Sequence, residues 1–162
     1  MRRYDVTDEA VLEATPAEVV AALADEAAGR SAWWRPWVDL RSVGEVPYPQ
    51  DGSRVLMRAS NTGRPDRRRS SIRLAGEVSA VEPERRILVT YRTGDFHGSS
   101  EWTFNPVDPR HTRVAYRWVA EPYGLMRLAA RFVDVPAGHS DLVRKAFAGL
   151  ATYIADHRPH AA

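Results

Sequence analysis

Three side chains of this 162-residue sequence are best placed to do chemistry: Tyr91, Tyr116 and His139. The two tyrosines fall on the apolar parity of their strands. A hydroxyl there can bond a carbonyl or enol of a guest molecule, and a tyrosine of lowered pKa could donate its proton. The plainer role is that of core tyrosines whose hydroxyls reach backbone or water. His139 stands one turn before Leu142 and Val143, on the flank of an apolar helical stripe. It can serve there as a pocket acid or base, or as a cap. His97 lies in the turn between Gly94 and Gly98, where solvent exposure is the simpler explanation.

The remaining histidines carry no metal-ligand spacing: His111 sits in a turn, and His157 and His160 fall in a frayed tail. No metal and no cofactor are therefore expected. Serines occur without the strand–turn–helix setting of a nucleophile elbow, and no glycine-rich loop runs from a strand into a helix. Cysteine is absent, which removes thiol catalysis, disulfides and zinc–thiolate sites together.

Composition sets the frame for these residues. Hydrophobic residues make up 44% and charged residues 27%, as in ordinary globular domains. The length suits one domain, 1–158, with 159–162 as a frayed tail. The longest apolar run, from Val19 to Ala24, is far too short to span a membrane. Arg2 and Arg3 resemble the start of a signal peptide, but Asp5, Asp8 and Glu9 follow where its apolar part should begin. A soluble, cytoplasmic protein is expected. Net charge is only +2, and 22 of the 23 basic residues are arginines, Lys145 being the exception. The cluster Arg64, Arg67, Arg68 and Arg69 has no interleaved aromatics for base stacking, so no nucleic-acid partner is expected. It reads as a solvated loop, with phosphate contact as the alternative.

The elements that must position the site follow from periodicity. Residues 2–14 read as an edge-type strand. Thr15-Pro16-Ala17-Glu18 is a helix start with cap, proline at the first turn and capping-box glutamate, and Gly29 is a plausible stop. A short second helix is expected over 31–34, ended by Pro36. Strands are expected at 38–43, 54–60, 69–80, 86–93, 98–107 and 112–120, joined by short turns into an antiparallel meander. Residues 123–135 are helix-like but interrupted near Pro136 and Gly138. From Ser140 to about Asp156, Val143, Phe147, Leu150 and Ile154 form one stripe. The order is that of an α+β domain.

Alternation assigns the two sheet faces. One parity collects Val55, Met57, Ile72, Leu74, Val89, Tyr91, Trp102, Phe104, Val114, Tyr116 and Trp118. The other collects Arg54, Arg58, Arg73, Glu77, Arg92, Glu101, Arg113 and Arg117. One helix cannot cover the whole width of such a sheet. A curved sheet would therefore enclose a space lined by Tyr91, Trp102, Tyr116, Trp118 and Phe147. The competing arrangement is a fully packed core. The Trp33-Trp34-Arg35-Pro36-Trp37 cluster seals one end, with Arg35 facing either an anionic group or a surface ion pair.

In this order and spacing, several short motifs resemble the START-like helix-grip superfamily. They are Ala14-Thr15-Pro16-Ala17-Glu18-Val19-Val20, the Trp34/Trp37 pair, the run from Gly94 through Trp102, Thr112-Arg113-Val114 leading to Trp118, and Gly149-Leu150. Within that superfamily the chain is similar to the SRPBCC branch of polyketide cyclases/dehydrases and lipid-transport proteins. The resemblance implies a seven-stranded curved antiparallel sheet around a long C-terminal helix, with two short helices between strands 1 and 2. It also implies a cavity for a hydrophobic small molecule, lipid-like or polyketide-like. Residues expected to line it are Met57, Leu74, Val89, Tyr91, Trp102, Phe104, Tyr116, Trp118, His139, Val143 and Phe147. A polyketide aromatase/cyclase or dehydratase would use the same cavity, with Tyr91, Tyr116 or His139 moving protons. A chaperone-regulator-like interaction module is a third role hosted by this fold. Monomer and homodimer both stay open.

Overall fold

The computed structural model describes residues 2–159. Met1, His160 and the rest of the tail beyond Pro159 lie outside the described residues. Seven strands form one antiparallel sheet: β1 (Tyr4–Leu12), β2 (Val38–Val43), β3 (Arg54–Ala59), β4 (Ile72–Glu82), β5 (Arg86–Gly94), β6 (Phe96–Asp108) and β7 (His111–Pro122). Their spatial order is β1-β7-β6-β5-β4-β3-β2. Each strand from β2 to β7 lies beside its sequence neighbour, as hairpin connections dictate. β1 closes on β7 over its full length, Tyr4 opposite Ala120 and Leu12 opposite Thr112.

The helices are α1 (Pro16–Ala27), α2 (Met126–Ala129) and α3 (Val135–His157). The α1 start is the expected one: Thr15 Oγ1 accepts from Glu18 N (3.3 Å), and the Glu18 carboxylate accepts from Thr15 N (2.7 Å). Two orphan donors are thereby satisfied reciprocally. Thr15→Ala is expected to cost about 1 kcal/mol in a urea melt, with little change in slope.

The sheet curls into a half-barrel around α3. Bulges at Ser79 in β4, at Arg92 in β5 (opposite Ala75/Gly76) and at Val107 in β6 add local twist to the strands. Gly94 and Gly98 have φ of +115° and +149°. A side chain at either would meet the carbonyl of Arg73 or Val119 on the neighbouring strand, so only glycine fits there. The face assignment holds. Val55, Val89, Tyr91, Trp102, Phe104, Val114, Tyr116 and Trp118 are buried, while Arg54, Arg58, Glu77, Arg92, Arg113 and Arg117 are exposed. Cross-strand ion pairs lace the outer face, among them Arg86–Glu101 (2.6 Å) and Arg117–Asp5 (2.7 Å).

Four local expectations change. Of the two short helices expected between the first strands, only α1 forms; residues 31–34 are coil and bend. The reason is Glu26, buried at 2% exposure, whose carboxylate accepts from Ser31 Oγ (2.7 Å), Trp33 N (3.1 Å) and Trp34 N (3.4 Å). These are amides that a helix starting here would leave without an intrahelical acceptor, so the carboxylate on α1 sets the path of this stretch from outside it. The strand expected from residue 69 begins at Ile72, because Arg68–Ser70 form a 3-10 turn. The helix-like stretch 123–135 shrinks to the single turn α2. The final helix starts earlier than Ser140, with Asp134 capping Ala137 N (3.0 Å) and Pro136 in its first turn, where proline forfeits no bond.

Candidate ligand cavity

Between the concave face of the sheet and α3 lies a cavity of about 330 Å³. Its inner wall is apolar: Met57, Leu74, Phe96, Tyr116 and Trp118 from the strands, Leu142 and Val143 from α3, and Trp34 and Val38 at one end. Its rim is polar on one side, with Ser60, Asn61, Thr62, Arg69, Ser70 and Ser71 from the β3–β4 connection. On the other side the rim is formed by Met126, Ala129, Val133 and Asp134. An apolar interior with a few polar groups at the entrance is the usual build of a small-molecule site.

Of the residues expected to line a cavity, six do so: Met57, Leu74, Tyr116, Trp118, His139 and Val143. Val89, Tyr91, Trp102, Phe104 and Phe147 are buried in the adjoining core and do not reach it. Aromatic packing accounts for part of this, Trp102 lying 4.6 Å from Tyr116 and 6.2 Å from Phe147, centroid to centroid. The interior is therefore divided. Packed core covers β5 and the middle of β6, and open space borders β3, β4, the start of β6 and the middle of β7.

His139 joins Tyr116 as a titratable residue of the inner wall. Its ring stacks on Trp118 (4.6 Å, 11° between planes) and more distantly on Tyr116 (5.6 Å, 12°). Burial holds its pKa down to about 4, against a weaker opposing pull from Asp8. Nδ1 lies 3.8 Å from Asp8 Oδ2, which accepts from Ser140 Oγ (3.0 Å). At neutral pH the imidazole is uncharged, an acceptor and donor both.

The tyrosines take another role. The Tyr91 hydroxyl is 2.8 Å from Ser100 Oγ, and burial raises the pKa of both Tyr91 and Tyr116 above the ordinary value. The lowered pKa that proton donation by tyrosine needs runs the other way here. His97 belongs to strand β6, not a turn, and stacks on Tyr123 at 4.1 Å. His157 ends α3 and bonds the Tyr153 carbonyl instead of lying in a tail. Arg35 pairs with Asp39 (3.1 Å), so of its two expected roles the surface ion pair is the one formed.

Sequence reasoning missed part of the wall. Phe96 was legible in principle, since it continues the parity of Trp102 and Phe104 two residues beyond the expected start of that strand. The serines and Arg69 at the rim carry no periodic signal, because they stand on a connection.

A half-barrel sheet gripping a C-terminal helix, with an apolar void between them, defines a helix-grip protein. The chain belongs to the family described as polyketide cyclase/dehydrase and lipid transport, whose model matches residues 3–155. Solved structures agree in fold. A protein of Thermus thermophilus is 20% identical, with a TM-score of 0.71 over 94% of this chain and 98% of its own. A START superfamily protein of Mycobacterium smegmatis is 13% identical, with a TM-score of 0.69 over 95% and 99%. The Zhui aromatase/cyclase of a Streptomyces species is 17% identical, with a TM-score of 0.59 over 96% and 93%. No curated protein matches the sequence. Among the described residues no group of histidines and carboxylates is arranged to hold a metal, and no helix is long and apolar enough to cross a membrane.

Proposed function

We propose that the protein binds a hydrophobic, lipid-like or polyketide-like small molecule in the space between sheet and α3. The observation that carries this reading is the cavity itself: about 330 Å³ left unfilled beside a core that is otherwise tightly packed. Apolar walls supply the affinity and the rim of hydroxyls and Arg69 orients a polar end. Binding of an anilinonaphthalene sulfonate dye tests it. Ala129 lines the entrance and is exposed, so Ala129→Trp obstructs the cavity without disturbing the core. Dye affinity should fall about tenfold, overpacking being worth about 1–3 kcal/mol. Equal affinity in the variant, or no dye bound by the native chain, would overturn the reading.

His139 supports a second role for the same space, that of an aromatase/cyclase or dehydratase. A neutral imidazole in an apolar wall, its Nδ1 without a hydrogen-bond partner, can accept a proton from a guest, as a weak base because burial holds its pKa down to about 4. Enclosure would fold a poly-carbonyl chain into a reactive conformer while His139 takes the proton.

A further inference from the structure

Several exposed large apolar side chains of the described chain stand alone, as Val11, Val46, Leu56 and Val107 do. Five others fall within one stretch: Tyr123, Leu125, Leu128, Phe132 and Val133. Scattered apolar residues are ordinary on a surface, whereas a cluster marks a contact. Leu125, Leu128 and Phe132 are spaced three and four apart on and around α2, and are 90%, 59% and 81% exposed. The other side of the same turn is apolar too. Met126, Ala129 and Val133 line the cavity, and Ala130 is buried. One lip of the cavity mouth is thus greasy both towards its interior and towards solvent, an arrangement that water alone does not favour.

The mouth is also the basic end of the molecule. Residues 60–71 form the opposite lip, where Arg69 reaches the cavity. The two lips, 60–71 and 123–134, hold six arginines against two aspartates, a local charge of +4. The whole chain carries +2, so everything outside the lips is net acidic. Arg64, Arg67, Arg68 and Arg69 are exposed, and none enters an ion pair among the described residues.

We infer that the cavity mouth docks on an anionic lipid bilayer, with Leu125, Leu128 and Phe132 entering the headgroup–acyl boundary and the arginines of both lips meeting lipid phosphates. Apolar side chains as exposed as Leu125 and Phe132 protrude, which suits a deformable hydrocarbon phase better than a rigid protein surface. The basic ring supplies the attraction to negative lipid, and the two together give the pair of weak anchors that reversible surface binding requires. The inference deepens the ligand-binding reading, on which it rests for its purpose, by making the bilayer the source of the guest. Docking itself needs only the lips.

Co-sedimentation with vesicles tests it, using phosphatidylcholine alone and phosphatidylcholine mixed with phosphatidylglycerol. The native chain should bind the mixed vesicles, leave the neutral ones, and be released as salt rises from about 0.05 to about 0.5 M. Arg67→Gln with Arg68→Gln should weaken binding about fivefold per arginine. Leu128→Ser with Phe132→Ser should weaken it about tenfold or more. These positions are exposed, so all variants should melt like the native chain. Their dye binding should also be unchanged, which separates a failure of the lips from a failure of the cavity. No binding to the anionic vesicles at low salt, or native-like binding by both double variants, would overturn the inference. Retention on an acidic protein surface in place of vesicles would do so too.

Discussion

Gly149→Val is expected to lower stability by about 4 kcal/mol, at the upper end of what one substitution does. Gly149 lies mid-way along α3, where glycine is a poor helix former and alanine would be better by about 1 kcal/mol. Tertiary packing overrides that preference. A Cβ at this position would lie well inside van der Waals contact of the Trp33 carbonyl oxygen. The carbonyl cannot retreat, because Trp33 is held on both sides: its amide donates to Glu26 Oε2 (3.1 Å) and its indole Nε1 to the Ala22 carbonyl (3.0 Å). The helix must therefore shift, which opens the packing of Leu150, Ala146 and Phe147. Thermal melts should show Tm lower by on the order of 10 °C. Ala148→Val is the control, exposed on the same helix. It should change stability only by its helix propensity, about 0.6 kcal/mol. Similar melts for the two variants would refute the close-approach argument.

Acid should weaken the protein through His139 before the carboxylates titrate. Unfolded, this histidine takes its proton near 6.5; folded, it does so only near 4. Between those values the unfolded chain binds more protons than the folded one, so unfolding becomes easier as pH falls. The contribution is fully present above about 6.5, is lost progressively towards 4, and amounts to about 3 kcal/mol. Glu13 and Glu18, whose pKa values are lowered chiefly by Arg110 and by the Thr15 amide, add their own losses at more acid pH. His139→Phe keeps a flat ring against Trp118 and removes only the titration. Denaturant melts of both chains at about pH 7.5 and about pH 4.5, either side of most of that titration, isolate the difference. The variant should lose less stability over that interval. Parallel losses would show that His139 is not the group responsible. The same variant separates the two functional readings. A binding protein should keep its dye affinity within a few fold, whereas a cyclase or dehydratase should lose turnover with binding intact.

Much of the fold was legible because its causes are local. The capping box at Thr15 and Glu18 is specified within a single helical turn. The two sheet faces follow from alternation alone, and the bulge in β5 falls at Arg92, beyond the buried run of Ile87, Val89 and Tyr91. The stripe of Val143, Phe147, Leu150 and Ile154 is buried along its whole length, as its spacing requires. The helix expected over 31–34 failed for a non-local reason, a buried carboxylate on α1 reaching the amides of Trp33 and Trp34. The early start of α3 was hidden by Pro136, which breaks a helix in the middle but begins one comfortably.

What the residues determined by themselves is therefore the class of fold and the identity of its dry face. What only the tertiary structure decided is which part of that face stays uncovered. Tyr91, Trp102 and Phe104 share parity with Tyr116 and Trp118, yet the first three sit in packed core and the last two border open space. Parity is set by the backbone repeat of each strand, whereas coverage depends on how far the sheet curls and where one helix lies across it. The lips of the cavity were beyond periodicity altogether, since a connection and a single helical turn acquire their neighbours only when the sheet folds over and brings residues 60–71 and 123–134 to one mouth.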